Sequence, residues 1–329
     1  MKAIVLVNDV LTVQQVKKPI TAEPGHLIVK ISSSAINSGD KFFLKFPVPP
    51  GMVKSLYDIK GVSGAGEVVQ TGEGVPEEYT GKNVAFYRQI KYSESVLGGW
   101  SENVHIPYLD CAILPEDANP DDYSGSMVNI ITPYGFLKQM IHEGHKGIIA
   151  TAGNSATGIA LLGFCLEYNF PLISVVRNEN GRKELEELGA KNIVVQSDPD
   201  FDLKITYTAQ ALNATAVFDG VGGDTLTKIL PLVPRNSVIH TYGYIDPMPF
   251  TFHTSILSLK NVVIKSFSNL KTETVTNPEN LEKALKEIGR LIHMPYFKTK
   301  TGQRFRLEEI NDAIAYKVYN GKKPILYHG

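Results

Sequence analysis

Six β-rich segments alternate with helical patterns between residues 147 and 267, and this alternation constrains the fold more than any other feature. Parallel strands cannot be joined by tight turns, so such an alternation predicts a parallel sheet covered by helices on both faces. The predicted helices include Gly158 to Glu167, Gly181 to Leu188 and Asp224 to Leu230. The predicted strands are Gly147 to Ala152, Leu172 to Arg177, Asn192 to Val195, Ala214 to Asp219, Ser237 to Tyr242 and Val262 to Phe267. We therefore predict a doubly wound, Rossmann-type fold for this region.

The chain before residue 120 has a different pattern, in which short β-rich segments are separated by glycine and proline. These segments are Leu27 to Ile31, Gly66 to Gln70, Asn83 to Tyr87 and Ser101 to Ile106. They predict a small β-barrel. The amphipathic helix Pro278 to His293 and the closing strand Pro324 to Tyr327 should return to this barrel, because alone they cannot bury their apolar faces. We therefore predict two domains, residues 1–120 with 271–329 and residues 121–270.

The composition excludes several classes of function. The 329 residues carry a formal net charge of −1, which gives no electrostatic basis for binding nucleic acid or anionic lipid. The N-terminal apolar stretch reaches Asn8 and Asp9 too soon for a signal peptide, and no apolar run is long enough to span a bilayer. A cytoplasmic protein is therefore expected. The two cysteines, Cys111 and Cys165, exclude a disulfide framework and a four-cysteine zinc lobe.

A glycine-rich turn joins the first strand of the predicted sheet to its helix. The segment Gly153-Asn154-Ser155-Ala156-Thr157-Gly158 opens directly into Ile159-Ala160-Leu161-Leu162. Small residues let the backbone approach a pyrophosphate, and the free N–H groups and positive end of the helix dipole stabilise its charge. Because the turn lies between a strand and a helix in an alternating series, we predict that it binds a dinucleotide.

The residue that ends the second predicted strand discriminates between NAD and NADP. A carboxylate there would accept hydrogen bonds from the ribose hydroxyls of NAD and would repel the 2′-phosphate of NADP. This chain has Arg177 instead, followed by Arg182 and Lys183. Since a guanidinium pairs with phosphate through two parallel hydrogen bonds, we predict that NADPH is the cofactor. Glu179 is the competing candidate, because it could turn toward the ribose.

Four segments spread over the chain together resemble the zinc-independent quinone oxidoreductase branch of the medium-chain dehydrogenase/reductase superfamily. They are Ala35-Ile36-Asn37-Ser38-Gly39-Asp40, Gly61-Val62-Ser63-Gly64-Ala65-Gly66-Glu67-Val68-Val69, Leu188-Gly189-Ala190 and Gly321-Lys322-Lys323-Pro324-Ile325-Leu326. The turn Asn154-Ser155-Ala156-Thr157-Gly158, with Arg177, is similar to that of mitochondrial-type enoyl thioester reductases. The resemblance implies a GroES-like catalytic domain beside the Rossmann domain. We also predict a homodimer, because the open edge of the Rossmann sheet, Val262-Val263-Ile264-Lys265, is apolar and would otherwise be an exposed pairing edge, and relatives often pair this way.

The resemblance assigns roles to individual residues. Asn37 and Thr132 would border the nicotinamide, and Asp40 would organise the loop that carries Asn37. Lys322 would reach a cofactor phosphate. The alternative interpretations are a turn residue for Asn37, a local cap for Asp40 and a solvated lysine for Lys322. Gly220 and Tyr242 complete the implied cofactor site.

The same resemblance predicts that the protein uses no catalytic metal. Zinc-dependent relatives hold one zinc with a cysteine, a His-Glu pair and a further cysteine or glutamate. At the matching positions this chain has Asn37, Val62 and Ser63. No histidine forms a spaced pair with a cysteine or a carboxylate that would replace that zinc site.

The identity of a proton donor stays open at this level. Related reductases carry a tyrosine after the Asn-x-x-Asp pattern, whereas Lys41 to Val48 has none and contains Phe42, Phe43 and Phe46. The remaining candidates are Tyr57, Tyr87 and Tyr92, of which we place Tyr57 in the catalytic site. We predict an NADPH-dependent reductase of a small electron-poor quinone or activated alkene. An enoyl thioester reductase and a non-catalytic NADPH-binding sensor or structural protein are the alternatives.

Overall fold

Contacts divide the chain into a first unit, residues 1–129 with 277–329, and a second unit, residues 130–276. The structure is a computed structural model that describes residues 1–44, 55–91, 93–319 and 321–327. Two residues of the sequence argument, Phe46 and Tyr92, and the side chain of Phe43 lie outside what is described.

The described elements follow the chain in three groups. The N-terminal group comprises β1 (Lys2–Val7), β2 (Val10–Gln15), β3 (His26–Ala35), α1 (Ser38–Phe43), β4 (Ser63–Thr71), β5 (Asn83–Tyr87), β6 (Asn103–Pro107) and β7 (Cys111–Ile113). The middle group comprises α2 (Ser126–His142), β8 (Ile148–Ala150), α3 (Ala156–Glu167), β9 (Leu172–Val176), α4 (Glu179–Glu187), β10 (Asn192–Val195), α5 (Phe201–Ala211), β11 (Ala216–Asp219), α6 (Gly223–Ile229), β12 (Val238–Thr241), α7 (Ser255–Lys260), β13 (Val263–Ser266) and α8 (Glu273–Thr276). The C-terminal group comprises α9 (Pro278–Leu291), β14 (Thr301–Arg306), α10 (Ile310–Ala315) and β15 (Lys323–Tyr327).

The second unit contains a parallel sheet in the order β10-β9-β8-β11-β12-β13. Numbered from its own first strand this is 3-2-1-4-5-6, the Rossmann order, in which the connections reverse direction between the first and fourth strands. The predicted strand Asn192 to Val195 has the observed bounds, and the other five predicted strands are each one to three residues too long. The Rossmann prediction is confirmed, and the crevice beyond the ends of β8 and β11 is the place where such a sheet binds ligands.

The first unit contains a mixed sheet in the order β14-β15-β3-β4-β5-β7, with β6 also paired to β3. Strand β15 pairs antiparallel with β3, so the C-terminal strand returns to the N-terminal sheet as the sequence predicted. Strands β2, β7 and β14 were not predicted. Each is short or half-exposed, so it lacks the buried alternation by which strands are recognised.

None of the described helices combines the length and the apolar character that crossing a membrane would require.

His240 is a titratable residue inside the parallel sheet. It lies on β12, is 1% exposed and faces the rings of Phe136 and Phe267. Within the described residues its Nε2 has no hydrogen-bond partner. Burial, followed by the charge of Lys265, lowers the pKa of His240 to about 4, which the opposing charge of Glu143 only partly offsets.

We expect His240 to make the protein acid-sensitive. Because its folded-state pKa lies below the unfolded value, its contribution to stability is complete above about pH 6.5 and is lost as the pH falls toward 4. Urea unfolding of the wild type and of His240→Leu at pH 7 and pH 5 measures this contribution. The free energy of unfolding of the wild type should fall by about 2 kcal/mol more than that of the variant. Equal losses would show that His240 is not held neutral.

Candidate cofactor site and polar cluster

The glycine-rich turn begins where β8 ends and closes against the start of α3. Gly153 N–H donates to the Val175 carbonyl of β9, and the Ser155 hydroxyl accepts from Gly158 N–H at 3.1 Å, which caps α3. A Cβ on Gly158 would lie 2.5 Å from the Gly153 oxygen and 2.6 Å from the Ala152 oxygen. Only glycine therefore fits at this position of the turn, which lies at the N-terminus of α3, the kind of place where helices bind anions.

A second set of contacts holds the crevice between β8 and β11. The Thr151 hydroxyl, at the end of β8, donates to Asp219 Oδ1 at 2.6 Å and accepts from Gly220 N–H at 2.9 Å. Asp219 also accepts from the N–H groups of Val221 and Gly222. Burial raises the pKa of Asp219, and these donors oppose the shift. The network fixes the start of the loop after β11.

Tyr242 connects the predicted cofactor residues of this loop to the turn. Its ring stacks on Phe218 at 3.9 Å, and its hydroxyl hydrogen-bonds the side chain of Ser155. A Cβ on Gly220 would lie 2.5 Å from that hydroxyl, so a side chain there would displace the tyrosine. Burial and the charge of Asp219 raise the pKa of Tyr242, which keeps its phenol neutral. The structure thus brings Gly220 and Tyr242 together with Ser155.

The basic residues predicted to bind the 2′-phosphate differ in their environments. Arg177 follows β9, is exposed and forms no ion pair or hydrogen bond with any described residue. Lys183 is also exposed. Arg182 instead pairs with Asp198 at 3.0 Å and with Glu179 at 3.3 Å. Glu179 is therefore turned toward Arg182, and Arg177 and Lys183 are the two predicted cations for which no ion pair with a described residue is found.

Other predicted cofactor residues lie on both units. In the second unit, Asn154 donates to Glu184 at 3.1 Å, Ala156 and Thr157 start α3, and Thr132 is half-buried on α2. In the first unit, Lys322 is exposed and its N–H donates to the Tyr319 carbonyl. The neighbouring residue, Lys323, has a very different environment.

A polar cluster in the first unit contains Asn37, Asp40, Ser63 and Lys323. Asp40 accepts from the backbone N–H of Asn37 at 2.8 Å and from its side-chain Nδ2 at 3.0 Å. Asn37 Nδ2 also donates to the Ser63 hydroxyl at 2.9 Å, and Lys323 Nζ donates to Asn37 Oδ1 at 2.6 Å. Asn37, Asp40 and Ser63 are all buried.

Burial dominates the electrostatics of this cluster. It raises the pKa of Asp40, although the hydrogen bonds from Asn37 and the charges of Arg88 and Lys323 oppose the shift. Burial also lowers the pKa of Lys323 to about 8, with the charge of Asp40 acting in the opposite direction. Arg88, which is buried itself, donates from Nε to the Gly61 carbonyl. The cluster therefore contains an ammonium that titrates close to neutral pH.

The tyrosines considered as proton donors differ in how deeply they are buried. Tyr57 is 56% exposed with a left-handed backbone, and no hydrogen bond of the described residues joins it to the cluster. Tyr87, at the end of β5, pairs in register with Ser63 of β4. Burial and then the charge of Asp40 raise the pKa of Tyr87. Phe42, on α1, is half-buried. Tyr87 is thus the candidate that the fold places beside the cluster.

Comparison with known proteins shows which proteins the chain is similar to. No protein-family model matches it. It is 22% identical to quinone oxidoreductase 1 of Escherichia coli over 86% of this chain and 84% of that protein. It is 27% identical to the mitochondrial enoyl-[acyl-carrier-protein] reductase of Dictyostelium discoideum over 64% of this chain and 60% of that protein.

The chain spans about half the length of the first curated relatives, the synaptic vesicle membrane protein VAT-1 homologues. The human protein is 23% identical over 68% of this chain and 55% of its own length.

The solved structure of Escherichia coli quinone oxidoreductase complexed with NADPH superposes with a TM-score of 0.75, at 20% identity, over 100% of both chains. The chain has the fold of the medium-chain dehydrogenase/reductase superfamily. This confirms the resemblance inferred from the four sequence segments.

Within this medium-chain dehydrogenase/reductase fold, the residues at the zinc-ligand positions have other partners. Asn37 Nδ2 donates to the Ser63 hydroxyl, and Val62 lies in a bend directly before Ser63, the first residue of β4. An amide and a hydroxyl that bind each other supply no thiolate or imidazole for zinc.

One group of possible metal ligands was missed by the sequence analysis. Among the described residues, Glu23, His26 and His105 bring their ligand atoms within 4.8 Å of one another. The two imidazole rings are stacked at 4.7 Å and 3°, and both nitrogens of each ring lie within hydrogen-bond distance of protein atoms. Parallel rings cannot both direct a lone pair at one ion in their planes, so the group is better described as a polar network.

Proposed function

We propose that the protein is a zinc-independent, NADPH-dependent oxidoreductase that transfers hydride to a small electron-poor acceptor, a quinone or an activated alkene. The observation that carries the proposal is the Gly153–Gly158 turn at the reversal point of a Rossmann sheet, followed on the next strand by Arg177. The relatives named quinone oxidoreductase and the solved neighbours complexed with NADPH support the choice of reaction and cofactor.

The residues of the second unit would bind and orient the cofactor. NADPH supplies the hydride when bound, and the N–H groups at the start of α3 would hold its pyrophosphate. Arg177 would pair with the 2′-phosphate. Ser155, Gly220 and Tyr242 form one connected wall of the crevice and would fix the position of the dinucleotide against β8 and β11.

An enoyl thioester reductase is the second candidate function. The 27% identity to a mitochondrial enoyl reductase and the shared Asn154-Ser155-Ala156-Thr157-Gly158 turn favour it. The absence of a tyrosine between residues 41 and 48 weighs against it, because protonation at carbon benefits from a placed donor. The acceptor therefore distinguishes the two proposals.

Steady-state NADPH oxidation with a quinone, an enone and an enoyl thioester tests these proposals together. We expect turnover with the quinone or the enone at a kcat/KM at least tenfold above that for the thioester, a barrier difference of about 1.4 kcal/mol. Preference for the thioester would support the enoyl reductase. NADPH binding without turnover of any acceptor would instead indicate a non-catalytic NADPH-binding protein.

We also propose that the protein is a homodimer paired through β13. This strand is the last of the parallel sheet, and Val263 on it is 50% exposed. Exposed apolar edges are rarely left unpaired. Light scattering should give twice the chain mass of 36.2 kDa, and Val263→Lys should give the single mass. The control Val69→Lys changes an equally exposed valine on β4 and should stay dimeric. A wild type of 36.2 kDa at micromolar concentration would refute the dimer.

A further inference from the structure

The chain that follows β10 lies beside the end of β9. The Gln196 N–H donates to the Val176 carbonyl at 2.8 Å, so the two parallel strands end at the same edge of the sheet. Arg177 is the next residue after β9, and Asp198 comes two residues after Gln196. The strand order thus brings a carboxylate to the edge at which we place the 2′-phosphate of NADPH.

Arg182 connects this edge to helix α4. Its backbone N–H donates to the Asn178 carbonyl, which sets it on the first turn of the helix. The start of the helix packs on the glycine-rich turn, since a Cβ on Gly181 would lie 3.4 Å from the side-chain amide of Asn154. Arg182 therefore belongs to the same part of the second unit as Arg177 and the turn.

Asp198 holds the side chain of Arg182. Arg182 Nη2 donates to Asp198 Oδ2 at 3.0 Å, and this is the one hydrogen bond that the guanidinium makes with the described residues. Arg182 Nε lies 3.3 Å from Glu179 Oε1 but is buried and forms no hydrogen bond there, so that contact is electrostatic only. The Asp198 side chain, which is 17% exposed, also accepts from Lys204 Nζ at 2.8 Å. Asp198 is therefore the group that fixes and neutralises the Arg182 guanidinium.

We propose that Asp198 determines how strongly the protein discriminates between NADPH and NADH, by keeping Arg182 in an ion pair that competes with the 2′-phosphate. This inference rests on the proposed NADPH-dependent function. A guanidinium pairs with a phosphate dianion through two parallel hydrogen bonds, but one that is bound to a carboxylate must first give up that partner. Asp198 thereby lowers the affinity for NADPH. It leaves the affinity for NADH unchanged, because NADH has no 2′-phosphate.

Asp198→Asn tests this role of a positioning residue. It keeps the size of the side chain and removes its charge, which leaves Arg182 with the weaker contact to Glu179. Fluorescence titration should show that the Kd for NADH divided by the Kd for NADPH rises at least about fivefold, because NADPH binds more tightly. The Kd for NADH should stay within about twofold of the wild type, which also shows that the variant is folded.

Asp200→Asn is the matched control. Asp200 belongs to the same loop and pairs with Lys204 at 3.0 Å, and among the described residues it has no ion pair with Arg182. Its effect on the Kd ratio measures the general loss of one negative charge and should stay below about twofold. In an Arg182→Met background, Asp198→Asn should have no larger effect than this control, because the released guanidinium is missing.

Two further measurements isolate the 2′-phosphate. Adenosine 2′,5′-bisphosphate and adenosine 5′-monophosphate differ only in that group, so calorimetric titration should show tighter binding of the first alone in Asp198→Asn. In an Arg177→Ala background, Asp198→Asn should restore a preference for NADPH over NADH of at least about threefold, because Arg182 then becomes available.

The outcomes separate this inference from the proposed function. A wild type that binds NADPH but whose Kd ratio is not raised by Asp198→Asn overturns the role of Asp198 alone. A fall in the ratio would show that Asp198 orients Arg182 for the phosphate, and an equal rise in Asp200→Asn would show a diffuse effect of charge; either result overturns it as well. The expected rise in a protein that reduces no acceptor would support the inference and overturn the reductase function alone. A wild type that binds neither cofactor overturns both.

Discussion

Gly158→Ala should abolish useful NADPH binding, with Kd rising at least about a hundredfold, or about 2.7 kcal/mol. The reason is steric, since the new methyl group would lie 2.5 and 2.6 Å from two backbone oxygens of the turn, and these cannot move without opening it. Fluorescence titration of NADPH into both proteins measures the effect.

The control for Gly158→Ala is a glycine substitution that strains the second unit elsewhere. Gly144 has a φ of +82° and open space around it, so Gly144→Ala should lower the melting temperature without touching the turn. Its Kd for NADPH should stay within about threefold of the wild type. If Gly158→Ala binds NADPH as tightly as Gly144→Ala does, the turn is not the phosphate site.

Arg177→Ala should remove the preference for NADPH over NADH. The wild type is expected to bind NADPH at least about tenfold more tightly, which corresponds to about 1.4 kcal/mol. Arg182 already pairs with Asp198 and Glu179, so Arg177 should supply most of this discrimination. Cofactor fluorescence titrations with NADPH and NADH should therefore give nearly equal Kd values in the variant. The two values converge because the variant binds NADPH more weakly than the wild type does.

A matched arginine tests whether this effect is specific. Arg235 is exposed in the same unit, so Arg235→Ala removes the same charge at another place and should preserve the preference. Loss of the preference in both variants would indicate a diffuse electrostatic effect. Equal affinities in the wild type would refute the assignment of Arg177 outright.

The parallel sheet could be predicted from the sequence because its signals are local. Buried strands such as β9 and β10 are runs of branched apolar residues, and the turn after β8 is recognisable from its glycines and the helix that follows. The ends of the strands were overestimated, since residues such as Arg177 continue the extended pattern but lie beyond the paired register.

The polar cluster could be predicted only in part, because it depends on contacts between distant residues. Asn37 and Asp40 are three residues apart, and their pairing is a local pattern. Lys323 is 286 residues from Asn37, and only the register of β15 on β3 decides that Lys323, rather than Lys322, reaches it. A one-residue shift in register turns a side chain to the opposite face, so a sequence with two adjacent lysines gives no basis for the choice.

The central claim is that the protein transfers a hydride from NADPH to an organic acceptor. The most direct test is single-turnover reduction of an enone by NADPH deuterated at C4 on one face, with the product examined by mass spectrometry and NMR. We predict one deuterium at the β-carbon from one of the two C4-deuterated isomers and none from the other, because a fixed crevice presents one face of the nicotinamide. Oxidation of NADPH without deuterium at the β-carbon from either isomer, or equal deuterium incorporation from both isomers, would contradict the claim.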